Sequence, residues 1–288
     1  MKWVNFEVDG QLWCGLLQNQ HISTLGTGCL SQFLGQLDSK NFSARTRRLI
    51  PLEDVRLRQP IIRPGKILGI GLNYAAHVAE SVSFVSNDRP EIQKWFNKQA
   101  TAAAGPGDPI HVPAVSDQVD YEAELVVVIG KTGRHVPPER AMEVVAGFTC
   151  GCDVSVRDWQ RASPTMIMGK GFDTHAPFGP ALVTPDEVGE LSGLSISGYV
   201  NDELRQEARL GDMIHKIPEQ IAHLSAAFTL EPGDVIFTGT PAGVGAGHAP
   251  PKWLKAGDIV RVEIENVGCL ENPVITETGT SRIGEERL

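Results

Sequence analysis

No apolar run in this 288-residue chain approaches the roughly 20 residues that a helix needs to cross a bilayer. The opening MKWVNFEV has the pattern of a strand and lacks the apolar core of a signal peptide. Positive charge is also scarce. The net charge is −9, the isoelectric point is about 5.4, and the one compact basic group, Arg45 to Arg48, reads as a solvated loop. Nucleic acid is therefore not an expected partner, and neither is a membrane. The 5 cysteines are odd in number and irregularly spaced, which fits a reducing compartment and a cytoplasmic protein. Cys150 and Cys152 form a C-x-C with no second Cys or His pair nearby, so they read as buried thiols rather than zinc ligands. Two glycine-rich stretches stop short of nucleotide motifs. GIGLNY lacks the third glycine of a dinucleotide fingerprint, and GTPAGVGAG lacks the Gly-Lys-Ser/Thr of a P-loop.

What the chain does have is turn residues. With 30 Gly and 19 Pro and few long helical periods, it reads as a β-rich fold of many tight turns. WVNFEV and QLWCGLL flank Asp9 and Gly10, a hairpin signal, and a helix-like piece follows over Leu30 to Leu37. Residues 1–58 are expected to form a small N-terminal β-rich subdomain, LRQP a linker, and residues 59–288 a catalytic domain. KILGIG has the pattern of a buried strand, and the helix start after it carries His77 and Glu80, three apart and so neighbours on one face. Ser81 to Trp95 is polar and suits a flap over a site. GPGD, EPGD and KAGD each feed an apolar strand. Ile217, Ile221, Leu224 and Phe228 mark an amphipathic helix over Ile217 to Leu230, and GTSRIGEERL reads as an exposed tail.

The chemistry concentrates between Val119 and Gln160. Tyr121 to Ile129 is apolar and β-branched enough for a strand, so Glu122 and Glu124 share a face. Two carboxylates that close repel each other in a half-buried strand unless a cation lies between them. Asp153 on the next strand-like run supplies a third oxygen, and an all-carboxylate set suits Mg²⁺, Mn²⁺ or Ca²⁺. Arg157, Gln160 and Lys170, the last within a Gly-Lys-Gly that lets the backbone approach a ligand closely, would complete a site for a small carboxylate-bearing substrate. Singly each has a plainer reading: Arg157 with Asp158 as a surface pair, Lys170 as a solvated lysine, His77 as a structural histidine.

The motifs KILGIGLNYAAHVAE, VDYEAELVVVIGK, GFTCGCDVSVRDWQ, GKGFDTHAPFGPALVTPDE, the Gln206 region of VNDELRQE, and LEPGDVIFTGTPAGVG occur in this order over Ile61 to Pro273. Together they resemble the fumarylacetoacetate hydrolase family. The resemblance implies an α+β, strand-rich fold, a mixed β-sheet rolled into a sandwich-like barrel, and a homodimer. It implies Glu122, Glu124 and Asp153 as metal ligands, His77 and Glu80 as a water-activating pair, and Lys170 beside the substrate's keto or enolate oxygen. Arg157, Gln160, Gln206 and Thr240 are the implied substrate-binding positions. Cys152 and Gly171 stand where the family often has Asn and Ser, changes that touch hydrogen bonding around the ligands and leave the ligands intact. The implied activity is metal-dependent hydrolysis of a C–C bond in a 2,4-dioxo acid such as an acylpyruvate. Decarboxylation or tautomerisation of an oxaloacetate-type acid, isomerisation of a 2-hydroxy-dienedioate, and non-catalytic oxo-acid binding are the alternatives.

Overall fold

The computed structural model describes residues 1–37, 48–81 and 92–279. Arg45 to Arg47, most of the expected flap and the C-terminal stretch after Gly279 lie outside them. Asp9 and Gly10 take φ of 54° and 71°, the positive pair that a type I′ turn demands, and close β1 (Lys2–Val8) on β2 (Gln11–Gln18). The first part continues with β3 (His21–Thr27), a 3₁₀ turn over Leu30–Gln36, β4 (Leu49–Pro51) and β5 (Arg56–Arg58). Next come β6 (Ile67–Gly71), α1 (Ala75–Ser81), β7 (Lys94–Lys98), β8 (Ala103–Ala104), β9 (Ile110–Val112), β10 (Val119–Asp120) and β11 (Ala123–Ile129). β12 (Val145–Cys152), β13 (Ser155–Val156), α2 (Arg157–Ala162), α3 (Ile167–Lys170) and β14 (Ala176–Val183) follow. The last elements are α4 (Pro185–Val188), β15 (Ser195–Val200), β16 (Glu203–Arg209), α5 (Ile217–Ala227), β17 (Val235–Phe237), β18 (Ile259–Ile264) and β19 (Gly268–Thr276). No helix among the described residues is long and apolar enough to cross a membrane.

A 12-stranded sheet runs β4-β3-β2-β1-β14-β12-β11-β17-β6-β7, with β5 on β1 and β8 on β14, and a 5-stranded sheet runs β16-β15-β18-β19-β9. The pairs β17 with β6, β14 with β8 and β19 with β9 are parallel and the others antiparallel, so the sheet is mixed as the family resemblance implied. β11 is buried on both faces rather than half buried. Leu125, Val127 and Ile129 share a core with Ile196, Val262 and Leu270 of the smaller sheet, while Val126 and Val128 share one with Trp3, Phe178 and Phe237. That double burial explains its unbroken apolar run.

The N-terminal strands join the same sheet: Lys2 pairs with Val183 and Trp3 with Leu182. The expected linker is packed and held, for Asn5 Nδ2 donates to the carbonyls of Gln59 at 3.0 Å and Pro60 at 2.8 Å. The three Gly-Asp turns share one design. Gly107, Gly233 and Gly257 take φ of 73°, 90° and 94°, and the aspartate after each accepts the first residue's N–H at 2.8, 2.8 and 2.9 Å. The second of these turns sets β17 beside β6. Helix α5 buries Ile217, Ile221 and Leu224, and Phe228 caps it half-buried.

Candidate functional site

Glu122 precedes β11, Glu124 lies within it, and Asp153 follows β12 directly. The register of β11 on β12, Ala123 opposite Cys152, continues into a bond from Asp153 N–H to the Glu122 carbonyl at 2.9 Å. One carboxylate oxygen from each of the three lies within 4.8 Å of the others, and all three residues are buried. Glu122 accepts Arg157 Nη2 at 2.6 Å and Lys170 Nζ at 2.5 Å, while Asp153 accepts Lys170 at 2.6 Å and Lys98 at 2.5 Å. Glu124 differs. It accepts the Gly239 N–H at 2.7 Å and has no ion pair among the described residues.

The charges follow from this wiring. Burial raises the Glu122 carboxyl, but Arg157 and Lys170 outweigh it and hold Glu122 well below the usual carboxylate range. Burial raises Glu124 too, and the charges of Asp153 and Glu122 push it well above that range. Lys170, buried between Asp153 and Glu122, stays above its ordinary value, whereas burial, helped by the like charge of Lys170, pulls Lys98 below its own against the opposing attraction of Asp153. A carboxylate left costly by its neighbours, with two more oxygens in reach, is what a hard divalent cation would relieve. The donor set therefore fits the metal that the family resemblance implies. Cys152 adds no thiolate, since burial pushes its thiol up to about 12.

His77 is brought in by α1. Its Nδ1 lies 3.1 Å from Glu80 Oε2, and Glu80 Oε1 accepts the Gly243 N–H at 2.9 Å. A carboxylate only accepts, so Nδ1 carries the proton and Nε2 is left as a base. His77, Glu122, Glu124, Arg157, Lys170 and Thr240 line one small cavity of about 80 Å³, below the roughly 300 Å³ of drug-sized pockets. Ile70, Leu72, Phe96, Met166 and Lys94 form its other walls beside Gln160. Leu72 and Met166 both hold φ of 59°, unusual for non-glycine residues, and both sit on this wall.

The implied substrate-binding set divides. Gln160 is on the wall, where it accepts Arg157 Nη1 at 2.9 Å. Arg157 is buried rather than a surface residue, and its guanidinium is committed to Asp120, Glu122 and Gln160. Thr240 donates to the Ala123 carbonyl at 2.9 Å and accepts Gln206 Nε2 at 2.7 Å. Gln206 lies behind the wall, with Oε1 accepting the Ala123 N–H at 2.9 Å and Nε2 also donating to the Pro241 carbonyl at 2.8 Å. It braces the strand under the carboxylates. The stretch from Glu207 to His215 contributes nothing to the cavity wall.

Lys98 and Asp120 are site residues that the sequence reading missed. Both were visible as period-two patterns: Lys94, Phe96 and Lys98 share one face of β7, and Asp120 is two residues before Glu122, itself two before Glu124. Reading Ser81 to Trp95 as a flap hid the first.

A family model described as the fumarylacetoacetate (FAA) hydrolase C-terminal domain matches residues 66–275, the stretch that carries every residue of this site. The chain belongs to the fumarylacetoacetate hydrolase family. Among curated members, "Oxaloacetate tautomerase fahd2, mitochondrial" of Xenopus laevis is 42% identical over 253 residues, covering 87% of this chain and 76% of the relative. Among solved members, the fumarylacetoacetate hydrolase of psychrophilic Exiguobacterium antarcticum superposes with a TM-score of 0.85 at 34% identity, covering 96% of this chain and 100% of that one. The 2-hydroxyhepta-2,4-diene-1,7-dioate isomerase from Mycobacterium marinum gives a TM-score of 0.81 at 32% identity, covering 97% of this chain and 100% of that one. The family thus spans hydrolase, isomerase and tautomerase names around one scaffold.

Proposed function

We propose that this protein is a divalent-metal-dependent tautomerase of a small 2-oxo dicarboxylic acid of the oxaloacetate type. The observation that carries the reading is that Glu80-held His77 shares one small cavity with Glu122 and Glu124, whose carboxylates lie within 4.8 Å of each other and of the buried Asp153. Similarity to curated oxaloacetate tautomerases supports this choice of reaction over the C–C hydrolysis expected from the sequence. Held by Glu122, Glu124 and Asp153, a Mg²⁺ or Mn²⁺ ion supplies Lewis acidity toward the oxo-acid end.

The chain's own groups do the rest. In the enol-to-keto direction the C2 hydroxyl loses its proton, C3 gains one, and the C2–C3 double bond gives way to a C2 carbonyl. Nε2 of His77 takes up the C2 hydroxyl proton and, as the imidazolium that Glu80 fixes and steadies, hands a proton to C3. Lys170 and Arg157 hold the Glu122 and Asp153 carboxylates in place and add positive charge where the enolate oxygen gathers negative charge. Ile70, Leu72 and Phe96 wall the cavity with apolar surface and limit the room for water around the reacting carbons.

The test is to follow decay of enol-oxaloacetate absorbance with Mg²⁺, beside an acylpyruvate cleavage assay. Wild type is expected to outpace buffer at the tautomerisation. Glu124→Ala should lose Mg²⁺-dependent rate altogether, and His77→Ala should lose roughly 10²- to 10⁴-fold. Cleavage of the acylpyruvate with enol decay no faster than in buffer would return the assignment to a hydrolase.

A further inference from the structure

Asp120 is fully buried, and four donors converge on its carboxylate. Oδ1 accepts the N–H of Gly245 at 2.6 Å and of Tyr121 at 2.9 Å, and Oδ2 accepts Arg157 Nε at 2.8 Å and the Ala246 N–H at 3.0 Å. Three of these donors come from two different segments that flank the site. Arg157 belongs to the metal side, where its Nη2 grips Glu122 at 2.6 Å. Gly245 and Ala246 belong to the 243–247 loop, whose Gly243 N–H holds Glu80 Oε1 at 2.9 Å. The same loop abuts Glu80 again at Gly247, where a Cβ would lie 2.2 Å from Glu80 Oε1. Asp120 itself is not on the cavity wall.

We propose that Asp120 is a positioning residue that locks the metal-ligand wall, through Arg157 and Glu122, to the loop that seats Glu80 and hence His77. A carboxylate is the group that this junction requires. Both oxygens face donors only, so an isosteric amide would turn its NH₂ against two donors whichever way it is flipped. Losing the anion would loosen Arg157 and the loop together, and partners of metal-binding carboxylates typically move metal affinity 10- to 100-fold when changed.

The test compares wild type, Asp120→Asn and Gly245→Ala. A Cβ added at Gly245 would press on Asp120 Oδ1 at 2.6 Å and on the Lys252 carbonyl at 2.3 Å, from a residue off the cavity wall. Two readouts are taken. The first is Mn²⁺ affinity without substrate, from the EPR signal of free Mn²⁺. The second is kcat against KM for enol-oxaloacetate at saturating Mn²⁺. Asp120→Asn is expected to weaken Mn²⁺ binding about 10-fold or more, and to cut kcat on the order of 10-fold with a smaller change in KM. Gly245→Ala is expected to weaken Mn²⁺ binding in the same direction. A folded Asp120→Asn that moves neither readout, or only one of them, overturns the proposal. If that variant does not fold, Gly245→Ala with wild-type Mn²⁺ affinity overturns it. Only the kcat readout rests on the tautomerase reading. Failure of wild type to tautomerise would sink that reading and leave the Mn²⁺ arm to decide on Asp120.

Discussion

At the scale of single residues, the site is a knot of four buried carboxylates, those of Asp120, Glu122, Glu124 and Asp153, against the three buried cations of Lys98, Arg157 and Lys170. Ion pairs of this kind are costly to desolvate and seldom placed for stability alone, so the surplus carboxylate, Glu124, is the informative one. A second buried group carries a consequence for the folded state. His175 donates from Nε2 to the His111 carbonyl at 2.7 Å, its Nδ1 has no partner among the described residues, and burial pushes it from 6.5 down to about 3. Between those values the folded chain holds it neutral while the unfolded chain protonates it, so the unfolded state binds the extra proton. Its contribution is complete above about 6.5 and declines as the pH falls toward about 3. The decline amounts to at most about 1.4 kcal/mol per pH unit. Urea denaturation from pH 7 to 4 should show this slope, and His175→Gln, which keeps an amide donor for His111, should show a shallower one. Equal slopes in both proteins would contradict the assignment.

Elements set how those residues meet. Lys170 ends α3, and α3 reaches the carboxylates because Gly169 lets it lie directly on α2: a Cβ there would sit 2.3 Å from Gln160 N and 2.4 Å from Gln160 Cα. The Gly-Lys-Gly was expected to let the backbone approach a ligand. Its first glycine instead lets backbone approach backbone, because the neighbour at that point is another helix. Gly169→Ala should therefore push α3 off α2 and draw Lys170 from Glu122 and Asp153. The expected cost is about 1–3 kcal/mol of stability, with weakened Mn²⁺ binding. Denaturation midpoints and Mn²⁺ titration check it, and unchanged values for both would show that the helices can separate without cost. The His77 and Glu80 pair, by contrast, was legible from spacing alone, since residues three apart meet on any helix.

Across the whole molecule, one sheet carries the N-terminal hairpins and the site. Trp3, Leu16 and Leu30 share a core with Phe178, Leu182 and Phe237, and β1 covers the edge that β14 would otherwise present. A chain starting at residue 59 would expose that edge and those side chains, a template for aggregation. Such a truncation is expected to lose the cooperative thermal transition and to elute as aggregate in size-exclusion chromatography. A sharp melt at the full-length midpoint would show that residues 1–58 are a separable unit after all.

Resemblance to the family implied that Glu122, Glu124 and Asp153 meet His77, Glu80 and Lys170. The sequence by itself determined the strand-rich class, the hairpin at Asp9 and Gly10, the three Gly-Asp turns, helix α5 and the pairing of His77 with Glu80. Those are matters of residue type and short-range periodicity, which backbone geometry turns directly into structure. Only the tertiary structure decided that β1 joins β14, that Arg157 and Gln206 serve the protein's own groups, and that Lys98 and Asp120 belong to the site. Each of these depends on a partner far along the chain: 37 residues separate Asp120 from Arg157, and 125 separate it from Gly245. No local pattern specifies such a pairing, because it is the closing of the sheet that brings the donors to the carboxylate.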